Sequence, residues 1–224
     1  TENAELITEV KKQQNQSKDS KYPCPYTLTV LKVLEILNKN NDFEEVVMWA
    51  EKINPDYLSE KASDFNGRKY PSNKEKYYSQ LTKALLKLDD IDTCYELSKE
   101  ALELEELTDD TWFNWRLAKC ANELGEYDEA IEYLKKMIAK KPDRYMKAEI
   151  ANSYYFKGDF ENSLNYAIDA VLTPAPSESK VNVYSLIADL IEDEYPEEAL
   201  KHRYLEYSIR LNKEWNIDDR LKDE

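Results

Sequence analysis

The sequence predicts an all-α solenoid of about five helical hairpins, and three observations carry that expectation. A phrase comes round twice: Trp115-x-Leu117-Ala118 … Gly125-x-Tyr127-x-x-Ala130 … Met137 … Pro142 is followed by Ile150-Ala151 … Tyr154 … Gly158-x-Phe160-x-x-Ser163 … Ala167-x-x-Ala170, with the two glycines 33 residues apart. Only 3 of the 224 residues are glycine, against roughly 7% in ordinary proteins. So few chain-reversing residues leave little room for a many-stranded β protein and favour helices joined by short turns. Finally, 42% apolar residues coexist with 34% charged ones. Stacked hairpins tolerate that ratio because each layer keeps two solvent-facing edges.

In chain order, residues 1-22 read as a polar N-terminal extension, in which Leu6, Ile7 and Val10 can support one short helix and Gln13 to Lys21 reads as a linker. Pro23 and Pro25 break the chain before the solenoid, which is expected to span 23-224. The first hairpin, 27-55, places Val30, Leu31, Val33, Leu34 and Leu37 at helical spacing, then Phe43, Val46, Val47, Ala50 and Ile53 after an Asn-rich turn. Asn54-Pro55 ends it. Residues 56-71, with Tyr57-Leu58, Gly67 and Pro71, do not fit the period and read as an inserted loop holding one short helical turn. The second hairpin, 75-108, opens on the capping-box pattern Ser72-x-x-Glu75 and continues through Tyr78, Leu81, Leu85 and Leu88. Ile91, Cys94, Ser98 and Ala101 give its second helix a face of one large and several small side chains. The doubled phrase supplies the third and fourth hairpins, 111-143 and 144-176. The fifth, 180-215, runs through Tyr184, Ile187, Ala188, Ile191, Ala199 and Leu205, with a turn about one residue shorter.

The repeated positions resemble those of the tetratricopeptide repeat (TPR) family, whose period is about 34 residues. Small residues fall where the two helices of a hairpin cross: Ala118 and Ala130, then Ala151 and Ser163. Gly125 and Gly158 stand where a left-handed backbone ends the first helix, Tyr127 and Phe160 where a side chain wedges between hairpins, and Pro142 where the second helix stops. The first two hairpins have Asn41 and Asp89 in place of the turn glycine; both residue types tolerate the left-handed conformation. The resemblance implies a right-handed superhelix and a non-catalytic scaffold or adaptor that binds a partner protein or extended peptide in its concave groove. Tyr22-Pro23-Cys24-Pro25-Tyr26-Thr27, Pro71-Ser72-x4-Tyr77, Trp112-Phe113-x-Trp115-Arg116 and His202-x-x-Leu205 … Arg210-x4-Trp215 also resemble TPR arms of multidomain microbial conflict-system proteins, in which the arm is fused to nuclease or transcription-factor-like modules. In that case the catalytic modules lie outside these residues. The chain begins at Thr1 rather than Met, as expected of a piece of something longer.

By the same resemblance, the groove is lined by non-packing positions of each hairpin's first helix. These are Lys76, Ser79, Gln80, Lys83 and Lys87, then Trp112, Trp115, Arg116, Lys119 and Asn122, then Tyr145, Glu149, Asn152, Tyr155 and Phe156. A chain of net charge −15 thus turns Lys76, Lys83, Lys87, Arg116 and Lys119 inward among aromatic side chains. The arrangement suits a peptide carrying acidic and apolar residues. The residues expected to bind are Lys76, Lys83, Lys87, Trp112, Trp115, Arg116, Lys119, Asn152 and Tyr155. Arg116→Glu is expected to abolish capture without changing helicity or melting. A clamp for a chaperone's C-terminal carboxylate is not expected, because Trp115 and Ala148 stand at two of its positions. Nucleic acid is the alternative partner, with phosphates on the cations and bases on the aromatic rings. The last helix, with Leu205, Tyr207, Leu211 and Trp215, offers a face for homo-oligomerisation.

Signals for catalysis are few. His202 is the one histidine, and neither a nucleophile motif nor a phosphate-binding glycine loop accompanies it. Glu126, Asp128, Glu129 and Glu132 read as a solvated helix face rather than as metal ligands. No catalytic residue, metal or cofactor is therefore expected, and an enzyme would need an active site assembled from distant residues. Cys24, Cys94 and Cys120 are an odd number without a CxxC pair, which suggests free thiols in the cytoplasm. No apolar run approaches the ~18 residues of a membrane span, and a membrane partner is not expected.

Overall fold

The computed structural model describes residues 8–10, 12–13, 23–140 and 144–221. Most of the polar extension and Pro142 lie outside those residues. The chain is all-α apart from one small hairpin, and it divides into two compact units, the first ending at Leu124 and the second beginning at Gly125. The division falls in the turn of the third repeat.

In the N-terminal unit, α1 (Pro25–Asn40) starts with proline at its first position, where the missing N–H costs nothing. It pairs with α2 (Phe43–Ala50) through a turn in which Asn41 takes φ 64° and the Asp42 amide donates to Leu37 O at 3.0 Å. The same device joins α3 (Asn73–Lys87) to α4 (Ile91–Leu102): Asp89 has φ 57°, and Asp90 N donates to Leu85 O at 3.0 Å. Both are left-handed caps with a 6→1 hydrogen bond, made by residues other than glycine as the sequence suggested. The acidic residue that follows then serves the next helix: Asp90 Oδ1 accepts from Thr93 N at 3.3 Å. α5 (Thr111–Glu123) completes the unit. Val30, Leu34, Val46, Leu58, Leu81, Leu85 and Phe113 build one apolar core with Cys94 and Cys120.

The insertion holds more order than a loop with one helical turn. A 3-10 turn over Pro55–Tyr57 is present, and Leu58, 1% exposed, anchors it in the core. Beyond it β1 (Ser63–Phe65) and β2 (Arg68–Tyr70) form an exposed antiparallel hairpin, with Asn66 at φ 56° and Gly67 at φ 75°. Asn-Gly is the sequence most suited to a two-residue turn with both residues left-handed. The capping box is half formed. Ser72 Oγ accepts from Glu75 N at 3.0 Å, but the Glu75 carboxylate turns to the α4–α5 connection instead.

In the C-terminal unit, α6 (Tyr127–Lys140), α7 (Arg144–Lys157), α8 (Phe160–Leu172), α9 (Val181–Ile191) and α10 (Pro196–Asn212) follow one another. Gly125 and Gly158 have φ 80° and 82°, as the repeated phrase requires. Ala151 and Ser163 are fully buried at the α7–α8 crossing, where the Ser163 hydroxyl donates to Ala151 O at 2.8 Å. The fifth turn has no left-handed residue. Tyr195 N bonds back to Ile191 O at 2.7 Å, an ordinary helical span that accounts for its shorter length. Phe160 does not wedge between hairpins: it is 57% exposed and lies against the Tyr155 ring, while Tyr127 stacks on Phe156.

A candidate partner-binding cavity in the N-terminal unit

Helical spacing brings Ser79, Gln80, Lys83, Leu86 and Lys87 of α3 to one wall of a cavity of about 410 Å³. Trp112, Trp115 and Arg116 of α5 form a second wall, and Glu35, Asn38 and Lys39 at the end of α1 form a third. The walls are tied together by polar contacts. Asn38 Nδ2 donates to Gln80 O and Oε1 at 3.0 and 2.9 Å, and Lys83 Nζ donates to Asn38 O at 3.2 Å. The start of α5 is held by Glu75, buried at 4% exposure, whose carboxylate accepts from Thr108 N, Thr108 Oγ1 and Asp109 N at 3.1, 2.7 and 3.3 Å.

The electrostatics of the cavity are dominated by cations. Among the described residues that line it Glu35 is the one carboxylate, and Lys32 and Lys39 at 2.8 and 2.6 Å hold it down to a pKa of about 2. Arg116 is 5% exposed, and burial pushes its guanidinium down to about 10, so the charge persists at neutral pH. Among the described residues its NH1 has no hydrogen-bond partner, nor does the buried Asn38 Oδ1. Both atoms are buried behind the cationic wall that Lys39, Lys83 and Lys87 contribute to the cavity. Trp112, 57% exposed, meets Trp115 edge-to-face at 6.3 Å and supplies an apolar rim.

Five of the residues singled out in the sequence thus converge: Lys83, Lys87, Trp112, Trp115 and Arg116. Lys76 sits exposed in the first turn of α3, away from that wall, and Lys119 lies over the Trp115 ring at 5.8 Å. Asn152 and Tyr155 belong to α7 in the other unit, where Tyr155 contacts Phe156 and Phe160. Arg116 is a packed residue rather than a solvated one, which overturns the expectation that Arg116→Glu would leave melting unchanged. The α1 wall was missed. Its signal was Asn38, an amide on the buried face of an otherwise aliphatic helix.

Elsewhere, His202 packs on Tyr184 with ring centres 6.0 Å apart, and burial pushes its pKa down. Asp128, Glu129 and Glu132 are engaged by Lys157, Tyr133 and Lys136. Among the described residues no three His, Cys, Asp or Glu side chains are grouped to hold a metal, and no helix is long and apolar enough to cross a membrane. A second cavity of about 780 Å³ lies along α10, lined by Leu200, Tyr204, Leu205, Tyr207 and Leu221 beside Lys201 and Arg203.

Residues 111–223 match the family described as a domain of unknown function, DUF7017. The chain belongs to that family. The DUF7017 match opens on the first residue of α5, so it takes in Trp112, Trp115 and Arg116 but not Lys83 or Lys87. No curated protein matches the chain. Solved structures share its fold. MamA residues 41 to the end from Desulfovibrio magneticus RS-1 aligns at TM-score 0.64 and 13% identity over 84% of this chain and 97% of that one. MamA AMB-1 gives 0.59 and 19% over 82% and 98%. A Podosopora anserina putative kinesin light chain with nearly identical TPR-like repeats gives 0.59 and 15% over 83% and 95%. At such identities the likeness is one of fold, and that fold is the all-α TPR-like helical repeat.

Proposed function

We propose that this protein is a non-catalytic, cytoplasmic interaction scaffold that captures an extended partner peptide carrying acidic and apolar residues. What supports the reading is the convergence of Lys83, Lys87, Trp112, Trp115 and Arg116, from two different helices, on one cavity. A partner carboxylate would pair with the Lys83 and Lys87 ammonium groups, and an apolar side chain would cover Trp112. Three cysteines that are all free thiols fit a reducing compartment. Lys119 extends the cationic face by one turn of α5, and Lys76 stands in the first turn of α3; Asn152 and Tyr155, on α7 of the other unit, form a separate candidate surface.

The test uses the full chain as bait in native lysate with mass spectrometry, and an array of acidic-aromatic peptides in parallel. Lys87→Glu combined with Trp112→Ala alters two exposed side chains that the fold does not need. The pair of changes is expected to lower affinity for the captured peptide at least tenfold, with the circular dichroism spectrum unchanged. Equal capture by wild type and variant overturns the assignment.

A further inference from the structure

The C-terminal unit carries a row of four aromatic rings that its packing leaves partly unused. Tyr127 opens α6, Tyr155 and Phe156 lie in the last turn of α7, and Phe160 opens α8. Tyr127 stacks on Phe156 with ring centres 6.3 Å apart, Phe156 meets Tyr155 edge-on at 5.7 Å, and Tyr155 lies against Phe160 at 5.7 Å. Three helix ends thus share one aromatic face. Phe156 and Phe160 are 62% and 57% exposed, so the fold does not need their outer surfaces. The two turns beside them leave room for an approaching chain: a Cβ added at Gly125 or Gly158 would meet no atom within 4 Å. Exposed apolar side chains scattered singly are ordinary, whereas contiguous ones mark a contact face.

The chain on either side of these rings is acidic. Residues 125–129 and 157–161 hold Glu126, Asp128, Glu129, Asp159 and Glu161 against a single cation, Lys157. That cation is already engaged, because Lys157 Nζ is paired with Asp128. Glu126 and Glu161 are exposed, and Asp159, which caps α8 by accepting from Asn162 N at 3.2 Å, is half-exposed. We propose that this face docks an arginine-bearing segment of a protein partner, with guanidinium planes laid on Phe156 and Phe160 and their N–H edges turned to the flanking carboxylates. A guanidinium stacks on a ring and donates in its own plane at the same time, which an ammonium cannot do. Charge decides against other occupants. Nucleic acid and acidic lipid headgroups are repelled by the same carboxylates. A second copy is disfavoured as well, since a two-fold contact sets each acidic rim against its own image. The cavity of the N-terminal unit selects the opposite charge, and the inference stands whether or not that cavity binds a peptide.

The probe is a fluorescein-labelled peptide of alternating arginine and glycine, titrated with the folded full chain and followed by anisotropy. A lysine–glycine peptide of equal length and charge runs beside it. Phe156→Ala combined with Phe160→Ala removes two exposed rings and keeps the net charge of −15, so diffuse attraction to the acidic surface is retained. That variant is expected to lose affinity for the arginine peptide roughly tenfold, with the circular dichroism spectrum unchanged. Wild type should bind the arginine peptide about fivefold more tightly than the lysine peptide. A second variant, Asp159→Asn with Glu161→Gln, keeps an oxygen to cap α8 and should weaken binding about threefold. Capture of an acidic-aromatic peptide, read in parallel, should be unchanged in both variants, which keeps a failure here apart from a failure of the cavity. The proposal is overturned by the absence of saturable binding to the arginine peptide, or by equal affinity in wild type and the ring variant. A dimer in sedimentation velocity that the ring variant dissolves would also overturn it and give the face to a second copy.

Discussion

At neutral pH Arg116 is charged, 5% exposed, and unsatisfied at NH1. Such a group costs stability in the folded protein. Its two substitutions should therefore diverge. Arg116→Met fills the same space without a buried charge and is expected to leave the melting temperature equal or higher while peptide capture is lost. Arg116→Glu buries a carboxylate among apolar neighbours and should cost about 2–4 kcal/mol, a fall of roughly 5–15 °C. Thermal melts of both variants beside a binding isotherm separate the two effects. His202 makes a second prediction at this scale. Its folded pKa lies below the ordinary imidazole value of 6.5 because burial disfavours the imidazolium. Below pH 6.5 the unfolded chain then binds the extra proton more readily, so stability falls as pH drops through that value and levels off once the folded form also protonates. His202→Gln should flatten that segment of a urea-midpoint profile, and a profile identical to wild type would contradict the assignment.

Helices α3 and α5 carry the cavity and share one apolar core, and the Glu75 carboxylate ties the start of α5 to α3. Glu75 accepts three hydrogen bonds from Thr108 and Asp109, directly ahead of α5. Removing charge-assisted bonds from buried donors costs about 1.5–3 kcal/mol. Glu75→Ala should therefore lower stability by that amount and weaken capture as Trp112 and Arg116 lose their placement. Glu75→Gln should retain part of both, and equal losses in the two variants would show that only the packing of the side chain matters. The sequence presented Glu75 as half of a capping box, because the spacing from Ser72 is a local pattern and its real partners lie 33 residues or more away. Local patterns were otherwise good guides. The left-handed turns at Asn41, Asp89, Gly125 and Gly158 were legible because chirality restricts that conformation to few residue types. The β-hairpin was not, since Ser63–Phe65 and Arg68–Tyr70 lack apolar alternation and are exposed throughout, leaving Asn66-Gly67 as the one signal. Cavity walls on α3 and α5 followed from repeat register. The wall on α1 did not, because there the deciding residue, Asn38, occupies a packing position and earns its place by long-range bonds to Gln80.

Over the whole molecule the net charge of −15 opposes the approach of an acidic partner, while the cavity attracts it. The two effects act over different distances, and salt separates them. At about 0.15 M the Debye length is roughly 8 Å, so remote carboxylates are screened while a carboxylate against Arg116 is not. Raising salt from ~50 to ~200 mM should therefore leave the affinity for an acidic-aromatic peptide within about threefold, because lost attraction at Lys83 and Lys87 is offset by lost repulsion from the rest of the surface. A single-stranded nucleic acid behaves otherwise. Its affinity comes from counterions released at the phosphates, and four contacts, at Lys39, Lys83, Lys87 and Arg116, imply a loss of roughly 50-fold over the same range. Fluorescence anisotropy with a labelled peptide and a labelled oligonucleotide at each salt concentration reads both slopes. A flat peptide curve supports a protein partner in the cavity. A steep curve for the oligonucleotide, with tighter binding than the peptide at low salt, would transfer the same residues to nucleic-acid recognition.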